Sequence, residues 1–251
     1  MKRGCNEVVV DGPGRQARLQ RRQEERLAAV GTLAAGLAHE IRNPLNGAQL
    51  HLAFLARALS GAGSQAEMGE AVQVVSDELR RLATLVSEFL DFARPRPLSI
   101  KATMIAPLCE RVLQRIDAAA KTHGIRVTAD LPTKDVVVQA DPAKLEQVLF
   151  NLVQNAVEAL ASRRTGRVVV RVRRKPRAVT IEVEDDGPGL EMPTAPIFDA
   201  FYTTKAAGTG LGLTITHRIV SDHGGGIEVS SKPGATVFRV SLPHFAHGKT
   251  H

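Results

Sequence analysis

Apolar residues in the first third of the chain recur every three or four positions, which is the spacing of a helix packed along one face. A first run ends at Leu59, and a second run ends at Phe89, just before the "RPRP" of residues 94–97. The "SGAGSQ" of residues 60–65 predicts a turn between two helices. Because two helices alone bury little apolar surface, this helical hairpin is expected to dimerise into a four-helix bundle. The apolar positions are Leu27, Val30, Leu33, Leu37, Ile41, Leu45, Ala48, Leu52, Leu55 and Leu59, then Met68, Ala71, Val75, Leu79, Leu82, Val86 and Phe89.

The pattern changes after Pro97 to short β runs interspersed with amphipathic helices. Asp141 and Pro142 are suited to the N-cap and the first position of one of these helices. We therefore predict a mixed α/β domain with antiparallel strand pairs. Helices are predicted at residues 105–122, 142–161 and 213–223, and strands at residues 125–130, 136–140, 167–174, 178–185, 227–231 and 235–243. The predicted domains are a lead-in at residues 1–20, the hairpin at 21–97, the α/β domain at 98–244 and a tail at 245–251.

The composition predicts a globular protein of 251 residues with an aliphatic core, because hydrophobic residues make up 43% of the chain and Trp is absent. Cys5 and Cys109 are too few for a disulfide framework and fit a reducing compartment. No apolar run approaches the roughly 20 residues of a transmembrane helix, and residues 1–16 contain no apolar run of the kind that predicts a secretory signal. We therefore expect a cytoplasmic protein, or the soluble end of something larger.

The net charge of +7 raises the question of nucleic acid, since basic residues cluster at residues 15–26 and 167–177. No aromatic residues are interleaved with these charges, as stacking on bases would require. Solvated surfaces of a helix and of a hairpin explain both clusters equally simply. Nucleic acid is therefore disfavoured as a partner, whereas an acidic protein or a nucleotide is compatible with the charge.

Two glycine-rich motifs indicate where a ligand binds in the α/β domain. "DDGPG" (residues 185–189) follows a predicted strand, and "GTGLGL" (residues 208–213) opens a predicted helix. Glycines before a helix start let backbone N–H groups approach an anion, and the helix dipole adds positive potential. The spacing matches neither a P-loop nor a dinucleotide fingerprint. The alternative is that these glycines serve turn geometry alone.

Polar residues elsewhere in the α/β domain extend this candidate site. Asn151 and Asn155 are four residues apart in "NLVQNAVEAL" and share one helix face, where two carboxamides are suited to a hard cation. Lys205 lies three residues before Gly208 and can neutralise phosphate charge. Capping or surface roles are the alternatives for the asparagines, and an ordinary exposed lysine is the alternative for Lys205.

A separate polar motif, "LAHEIRNPLN" (residues 37–46), lies within the first predicted helix. His39 lies two residues past Leu37, off the apolar stripe, so its ring is expected to face solvent. Pro44 lacks an N–H and leaves the carbonyl of Glu40 unpaired one turn back, which predicts a kink. Taken alone, this motif is explained better by an ordinary surface histidine than by a nucleophile.

Five motifs in this order strongly resemble those of the histidine kinases of two-component signalling. "AHEIRNPLN" resembles the H box, "NLVQNAVEA" the N box, "DDGPG" and "GTGLGL" the two glycine boxes, and "IFDAFYTTK" the F box. The form with "TTK" is most similar to sensor kinases of the nitrogen-regulatory type. The resemblance covers residues 25–243. It implies a dimeric helical hairpin followed by an α/β two-layer sandwich, the ATP-binding domain type of gyrase and Hsp90.

The resemblance implies that His39 is the phosphoacceptor. Glu40 is implied as its general base, or as the carboxylate that polarises the other ring nitrogen. The implied activity is ATP-dependent phosphorylation of His39 and transfer of the phosphoryl group to an aspartate of a response-regulator receiver domain. At the position of Asn43 the family can orient a water that hydrolyses the regulator's phosphoaspartate, so the resemblance also allows a phosphatase activity.

The resemblance assigns further roles in the ATP-binding domain. Asn155 is implied as the Mg²⁺ ligand, and Asn151 is implied to assist at the phosphates or at a water. Asp185 is implied to accept a hydrogen bond from the adenine amino group, and Lys205 is implied to contact the γ-phosphate. The glycine-box residues implied to bind the nucleotide are Gly187, Gly189, Gly208, Thr209, Gly210, Leu211 and Gly212.

The ATP lid departs from the family pattern. Pro196 in "LEMPTAPI" (residues 190–197) opposes the short helix that the family forms there. Phe198 and Phe201 are implied to anchor the lid to the helical domain, although buried core positions explain both residues as well.

Two other functions share parts of this pattern. A nucleotide-sensing scaffold would bind ATP and signal by conformation without transferring phosphate. An ATPase of the gyrase or Hsp90 type would carry the glycine boxes but has no reason to carry "HEIRNP" on a dimerising hairpin.

Overall fold

The computed structural model describes residues 36–38, 40–59, 64–93, 97–190, 196–205 and 208–244. His39, the predicted apolar positions before residue 36, the N-terminal basic cluster and most of the predicted turn at residues 60–65 lie outside the described residues. The chain divides into two compact units, Met1–Pro95 and Arg96–His251. None of the helices that the structure describes is both long enough and apolar enough to cross a bilayer.

The first unit contains two helices. Residues 36–38 and 40–59 are helical and form α1, and α2 spans Gln65–Ala93. A capping box begins α2, because the Ser64 hydroxyl accepts from the Glu67 N–H (3.3 Å) while the Glu67 carboxylate accepts from the Ser64 N–H (2.9 Å). Hydrogen bonds from the Ser64 N–H and the Ser64 hydroxyl to the Glu67 carboxylate lower the pKa of Glu67. The start of the second helix of the hairpin is thus fixed by local hydrogen bonds.

The apolar residues of both helices divide into a buried part and an exposed part. Among the buried residues are Ala48 and Ala58 of α1 and Ala71 and Leu85 of α2. Larger apolar residues at seven-residue spacing are exposed within one chain, namely Leu45, Leu52 and Leu59 on α1 and Val72, Leu79 and Val86 on α2. Each helix therefore presents an apolar stripe that its own chain does not cover.

The second unit is a two-layer α/β sandwich, as the sequence predicts. Its helices are α3 (Ile105–Thr122), α4 (Pro142–Leu160) and α5 (Gly212–Asp222). Its strands are β1 (Lys101–Met104), β2 (Ile125–Asp130), β3 (Val137–Ala140), β4 (Gly166–Arg174), β5 (Ala178–Asp185), β6 (Gly226–Lys232) and β7 (Ala235–Pro243). A five-stranded sheet has the order β2-β4-β5-β7-β6, and β1 pairs with β3 in a separate two-stranded sheet.

The core lies between the helices and one face of the five-stranded sheet. Every second residue of β7 is buried, which is the pattern of a strand covered on one face. The helix α4 contacts α3, α5, β4 and β5. Its buried residues are Leu145, Val148, Leu149, Leu152, Val153, Ala156, Val157 and Leu160. Because close packing holds α4 along its length, the polar residues on its remaining face are held in fixed positions.

Strand pairing is partly as predicted. β4–β5, β5–β7 and β6–β7 are antiparallel, which confirms the expected antiparallel pairs. β2 pairs with β4 in parallel, because the connection through α4 is long enough to return the chain in the same direction. The apolar pattern does not predict β1, which has four residues, of which only Thr103 is buried.

Asp141 is the N-cap of α4, as predicted. Its carboxylate accepts from the N–H groups of Ala143 (3.0 Å), Lys144 (3.2 Å) and Ser99 (2.9 Å). The Asp141 N–H donates to the imidazole of His223 at the end of α5 (3.0 Å). Burial raises the pKa of Asp141, but the three N–H donors outweigh burial, and the net pKa lies below its ordinary value. The start of α4 is therefore tied to the chain before β1 and to the end of α5.

Candidate functional site

The helix α4 carries a polar face that Lys205 and the second glycine motif contact. Asn151 and Asn155 lie on successive turns of this helix. The Asn151 amide donates to the carbonyl of Gly212, the first residue of α5 (3.3 Å). At the other end of α4, Leu160 lies 3.6 Å from the position that a Cβ on Gly187 would take. One helix thus lies close to both glycine motifs.

Asp185, at the end of β5, is only 3% exposed. Its carboxylate accepts from the Gly187 N–H (2.9 Å), which fixes its orientation. Burial raises the pKa of Asp185 to about 6; the Gly187 bond lowers it, the charges of Asp186 and Glu184 raise it, and the charge of Lys205 lowers it. At neutral pH the carboxylate is therefore mostly ionised and can accept a hydrogen bond from a ligand.

Two glycines of the motifs adopt backbone conformations that favour glycine. Gly189 and Gly210 have φ angles of 86° and 66°. A Cβ on Gly189 would lie 2.9 Å from the carbonyl group of Lys232 in β6. A Cβ on Gly210 would overlap the backbone of Phe201, whose N–H donates to the Gly210 carbonyl (3.1 Å). At Gly189 and Gly210 the motifs therefore lie tightly against neighbouring backbone and leave no room for a side chain.

The second glycine motif leads directly into α5. The Gly208 N–H donates to the Lys205 carbonyl (3.2 Å), and the Leu211 N–H donates to the Thr209 hydroxyl (3.3 Å). Leu211 is fully buried, and Gly212 begins the helix. The backbone of the motif is thus held at a helix N-terminus, where the helix dipole favours an anion such as a phosphate.

Lys205 brings a positive charge to the polar face of α4. Its ammonium group donates to the Asn155 carboxamide oxygen (2.9 Å) and to the Glu158 carboxylate. The Lys205 N–H donates to the Thr203 hydroxyl (3.1 Å), which holds the loop locally. Two oxygens of α4 therefore converge on a point that holds a cation in this structure. A carboxamide and a carboxylate are ligand types that suit Mg²⁺, so the residues fit a metal ion there.

The H-box residues of the first unit lie on α1, except that His39 lies outside the described residues. Glu40 is half-buried, and its carboxylate lies 3.9 Å from the guanidinium of Arg81 on α2. Asn43 is exposed. The helix continues through Pro44, whose side chain is buried, and the predicted kink stays a prediction.

Phe198 and Phe201 make their described contacts within the second unit. The Phe198 ring lies 5.5 Å from the imidazole of His217 on α5, between centroids. The Thr214 hydroxyl donates to the Phe198 carbonyl (3.0 Å). Residues 191–195 of the lid lie outside the described residues. The expectation that Pro196 opposes a short helix in this segment therefore stays a prediction.

Two residues at these sites were not singled out from the sequence, although one of them, Glu158, lies within the N box. Glu158 lies three residues after Asn155, so helical periodicity was an available signal that placed it on the same face. Arg81 meets Glu40 only because α1 and α2 pack together, and no local pattern in the sequence pairs them.

Family comparisons match both units. Residues 29–97 match the His Kinase A (phospho-acceptor) domain. Residues 140–245 match the histidine kinase-, DNA gyrase B-, and HSP90-like ATPase family. Sensor histidine kinase ZraS of Escherichia coli (strain K12) is 39% identical over 227 residues, which are 88% of this chain and 47% of ZraS. The C4-dicarboxylate transport sensor protein DctB of Rhizobium meliloti (strain 1021) is 36% identical over 232 residues, which are 88% of this chain and 35% of DctB.

Solved structures match as well. Histidine kinase ThkA, in its complex with response regulator protein TrrA, has a TM-score of 0.78 and 28% identity, covering 92% of this chain and 66% of that chain. The catalytic domain of ThkA has a TM-score of 0.53 and 31% identity, covering 58% of this chain and 97% of that domain. This chain spans about half the length of ZraS (47%). With a phosphoacceptor family match on its hairpin and an ATPase family match on its sandwich, the chain belongs to the histidine kinases of two-component signalling.

Proposed function

We propose that this chain phosphorylates its own His39 from ATP and passes the phosphoryl group to an aspartate of a response-regulator receiver domain. The observation that carries the proposal is the convergence on α4 of both glycine motifs and Lys205. The same chain carries a phosphoacceptor domain match, which supplies a nucleophile for the γ-phosphate of the bound nucleotide. The complex of ThkA with response regulator protein TrrA supports the choice of partner.

The nucleotide is held by contacts of three kinds. Asp185 accepts from the adenine amino group, which selects adenine over guanine because guanine has a carbonyl at that position. Gly187 and Gly189 let the backbone pack closely at Asp185 and Lys232, and this part of the backbone lies beside the base. The phosphates lie at the start of α5, against the backbone of residues 208–212. Lys205 contacts the terminal phosphate, and this contact adds charge where the bond breaks.

Asn155 is the proposed ligand of Mg²⁺ on α4. The ion, when bound, neutralises phosphate charge and so lowers the barrier to nucleophilic attack. Asn151 is oriented by its bond to the Gly212 carbonyl, so it holds the glycine motif and α4 in register. Close packing of α4 keeps both carboxamides in place.

The phosphoryl transfer itself requires one nucleophile and one proton acceptor. A ring nitrogen of His39 attacks the γ-phosphorus, and the bond to the ADP oxygen breaks. Glu40 accepts the proton of the other ring nitrogen or polarises it, and Arg81 at 3.9 Å holds that carboxylate. Asn43 is the proposed residue for orienting water when the phosphoaspartate of the regulator is hydrolysed.

The exposed apolar stripes support a homodimer. Leu45, Leu52 and Leu59 repeat at seven-residue spacing on α1, and Val72 and its heptad partners do so on α2. A second copy of the hairpin covers such stripes in a four-helix bundle. The helical unit is therefore the proposed dimerisation element.

Incubation of the chain with γ-labelled ATP, followed by addition of a receiver domain, tests the proposal. We expect label on the chain first and on the receiver afterwards. A receiver with its acceptor aspartate replaced by asparagine is the matched control and should stay unlabelled. Steady ATP hydrolysis without a labelled protein would indicate an ATPase instead, and ATP binding with neither hydrolysis nor labelling would indicate a scaffold.

A further inference from the structure

We propose that Glu158 is a second oxygen donor of the metal site on α4, and that Lys205 occupies the metal position until Mg²⁺ and nucleotide bind. The inference rests on the proposed function, because it requires a nucleotide-bound Mg²⁺ at Asn155. It adds to that function a residue of the N-box segment to which the family resemblance assigns no role. It also assigns Lys205 a second position, distinct from its contact with the terminal phosphate.

The ammonium group of Lys205 marks the cation position. It donates to the Asn155 carboxamide oxygen (2.9 Å) and to one carboxylate oxygen of Glu158. Both oxygens belong to one helix and lie one turn apart, so they remain in place when the lysine leaves. The buried residues Ala156 and Val157, between them in sequence, hold this part of α4 in the core. The pair of oxygens is therefore a preformed site for a cation.

The Glu158 carboxylate is itself held in orientation. Its other oxygen accepts from the side-chain amide of Gln154, one turn earlier on α4 (2.8 Å). That bond leaves the remaining oxygen directed at the Lys205 ammonium group. A hydrogen-bonded carboxylate is what metal sites generally use, because the partner fixes the ligand before the ion arrives.

Lys205 and Mg²⁺ cannot both use the Asn155 oxygen, since an ammonium group at hydrogen-bond distance from that oxygen would repel a metal ion bound to it. Lys205 lies on the loop between β5 and α5, whereas both oxygens lie on a helix, so the lysine is the group that moves. The terminal phosphate of ATP is a new anionic partner for the Lys205 ammonium group. Before the lysine leaves, Lys205 neutralises the negative charge of Glu158. After it leaves, that charge attracts the metal ion.

The test measures Mg²⁺ affinity with ADP present, by calorimetry and by loss of the free Mn²⁺ signal in paramagnetic resonance. ADP is used because it lacks the terminal phosphate that attracts Lys205. Lys205→Met is expected to raise metal affinity severalfold, because the competing cation is removed. In that background Glu158→Gln is expected to lower metal affinity at least about tenfold, because even the loss of a residue that only supports a metal ligand typically costs that much.

The matched control is Glu146→Gln, also made in the Lys205→Met background. Glu146 lies on the same helix and pairs with Arg111 of α3 (3.1 Å), away from Lys205. Its substitution removes the same charge and should leave metal affinity unchanged. All three side chains are partly exposed, and thermal unfolding of each variant verifies that it is folded.

The outcomes separate this inference from the proposed function. Unchanged metal affinity on adding Glu158→Gln to Lys205→Met would overturn the role of Glu158 in metal binding. Unchanged or weaker affinity in Lys205→Met alone would overturn the competition. Failure of the wild-type chain to bind ADP at any Mg²⁺ concentration would instead overturn the proposed function, and this inference with it.

Discussion

At the scale of single residues, Asp185 connects burial to binding most directly. Its carboxylate is almost fully buried, and burial raises its pKa to about 6. A buried carboxylate costs free energy unless donors satisfy it, and the Gly187 N–H bonds one of its oxygens. A second donor from a ligand would stabilise the ionised form further. The residue is therefore suited to recognising an amino group on a nucleotide base.

The raised pKa of Asp185 predicts that ADP affinity depends on pH. The proposed contact needs the ionised carboxylate, so affinity is highest above about pH 6 and falls as the pH drops below it. Between pH 8 and pH 5 we expect a loss of about tenfold, since about a tenth of the carboxyl groups are ionised one unit below the pKa. Calorimetric titration with ADP at each pH measures this loss.

Asp185→Asn is the control for this profile, because it retains the titration of the ADP phosphates and of all other groups. Its affinity should be lower at pH 8 and should change less with pH than that of the wild-type chain. A profile as steep as that of the wild type would show that Asp185 does not cause the dependence.

Residue types and spacing predicted part of the site. The motifs identified Asn155 and Lys205 as candidate site residues. In the structure the Lys205 ammonium group lies 2.9 Å from the Asn155 carboxamide oxygen. Gln154 and Glu158 were not singled out, although both lie within the N box and helical spacing places Glu158 one turn from Asn155 and from Gln154. Arg81 could not be predicted, because its contact with Glu40 depends on the register of two helices and not on a local pattern. The roles proposed for these residues remain predictions.

At the scale of elements, α4 organises the second unit, and its amphipathic pattern and N-cap were both predictable from sequence. The predicted helix at residues 105–122 is confirmed as α3, and the strands at 178–185 and 235–243 are confirmed as β5 and β7. Sequence patterns could not predict the parallel pairing of β2 with β4, because the pattern within a strand does not specify its neighbour. They also missed β1, whose register with β3 depends on distant residues.

Asp141→Ala is predicted to destabilise the second unit by about 2 kcal/mol at pH 7, because several backbone N–H groups lose their acceptor. Urea unfolding, together with hydrogen exchange of the α4 amides, measures the change. Asp117→Ala is the control, since Asp117 is an exposed partner of Lys121 on α3 (2.6 Å) and should contribute within about 0.5 kcal/mol.

The lowered pKa of Asp141 gives this prediction a pH dependence. A carboxyl group with a folded-state pKa below its ordinary value of 3.8 stabilises the fold above that pH and loses its contribution as the pH falls further. The difference between the wild-type chain and Asp141→Ala should therefore shrink at about pH 3 and below. A difference that stays constant into this range would contradict the capping role of the ionised carboxylate.

At the scale of the whole molecule, the apolar stripes of α1 and α2 indicate what lies beyond a single chain. Leu52 and Leu79 are 52% and 55% exposed, which is unusual for leucines that repeat at heptad spacing. The sequence placed most of these residues in longer apolar seams, although the predicted seam of α2 did not include Val72. It could not separate the residues buried within a chain from those left for a partner. That separation depends on how the two helices of one hairpin face each other.

A negative charge introduced by substitution into the apolar stripe of α1 or α2 is predicted to dissociate the dimer. Leu52→Glu and Leu79→Glu should each weaken self-association at least tenfold, because a carboxylate buried in an apolar bundle loses its hydration. Sedimentation equilibrium measures the association constant. Leu50→Glu is the matched control, since Leu50 is also exposed and points to roughly the opposite side of α1. Equal dissociation by Leu50→Glu, or none by Leu52→Glu and Leu79→Glu, would contradict the proposed interface.

The most direct measurement of the central claim is labelling of the chain by γ-labelled ATP, compared between wild type, His39→Ala and His51→Ala. His51 lies on α1 and controls for loss of any imidazole from the predicted hairpin. We predict an acid-labile, base-stable label on the wild type and on His51→Ala, and no label on His39→Ala. Labelling that survives His39→Ala would contradict the assignment of His39 as the phosphoacceptor.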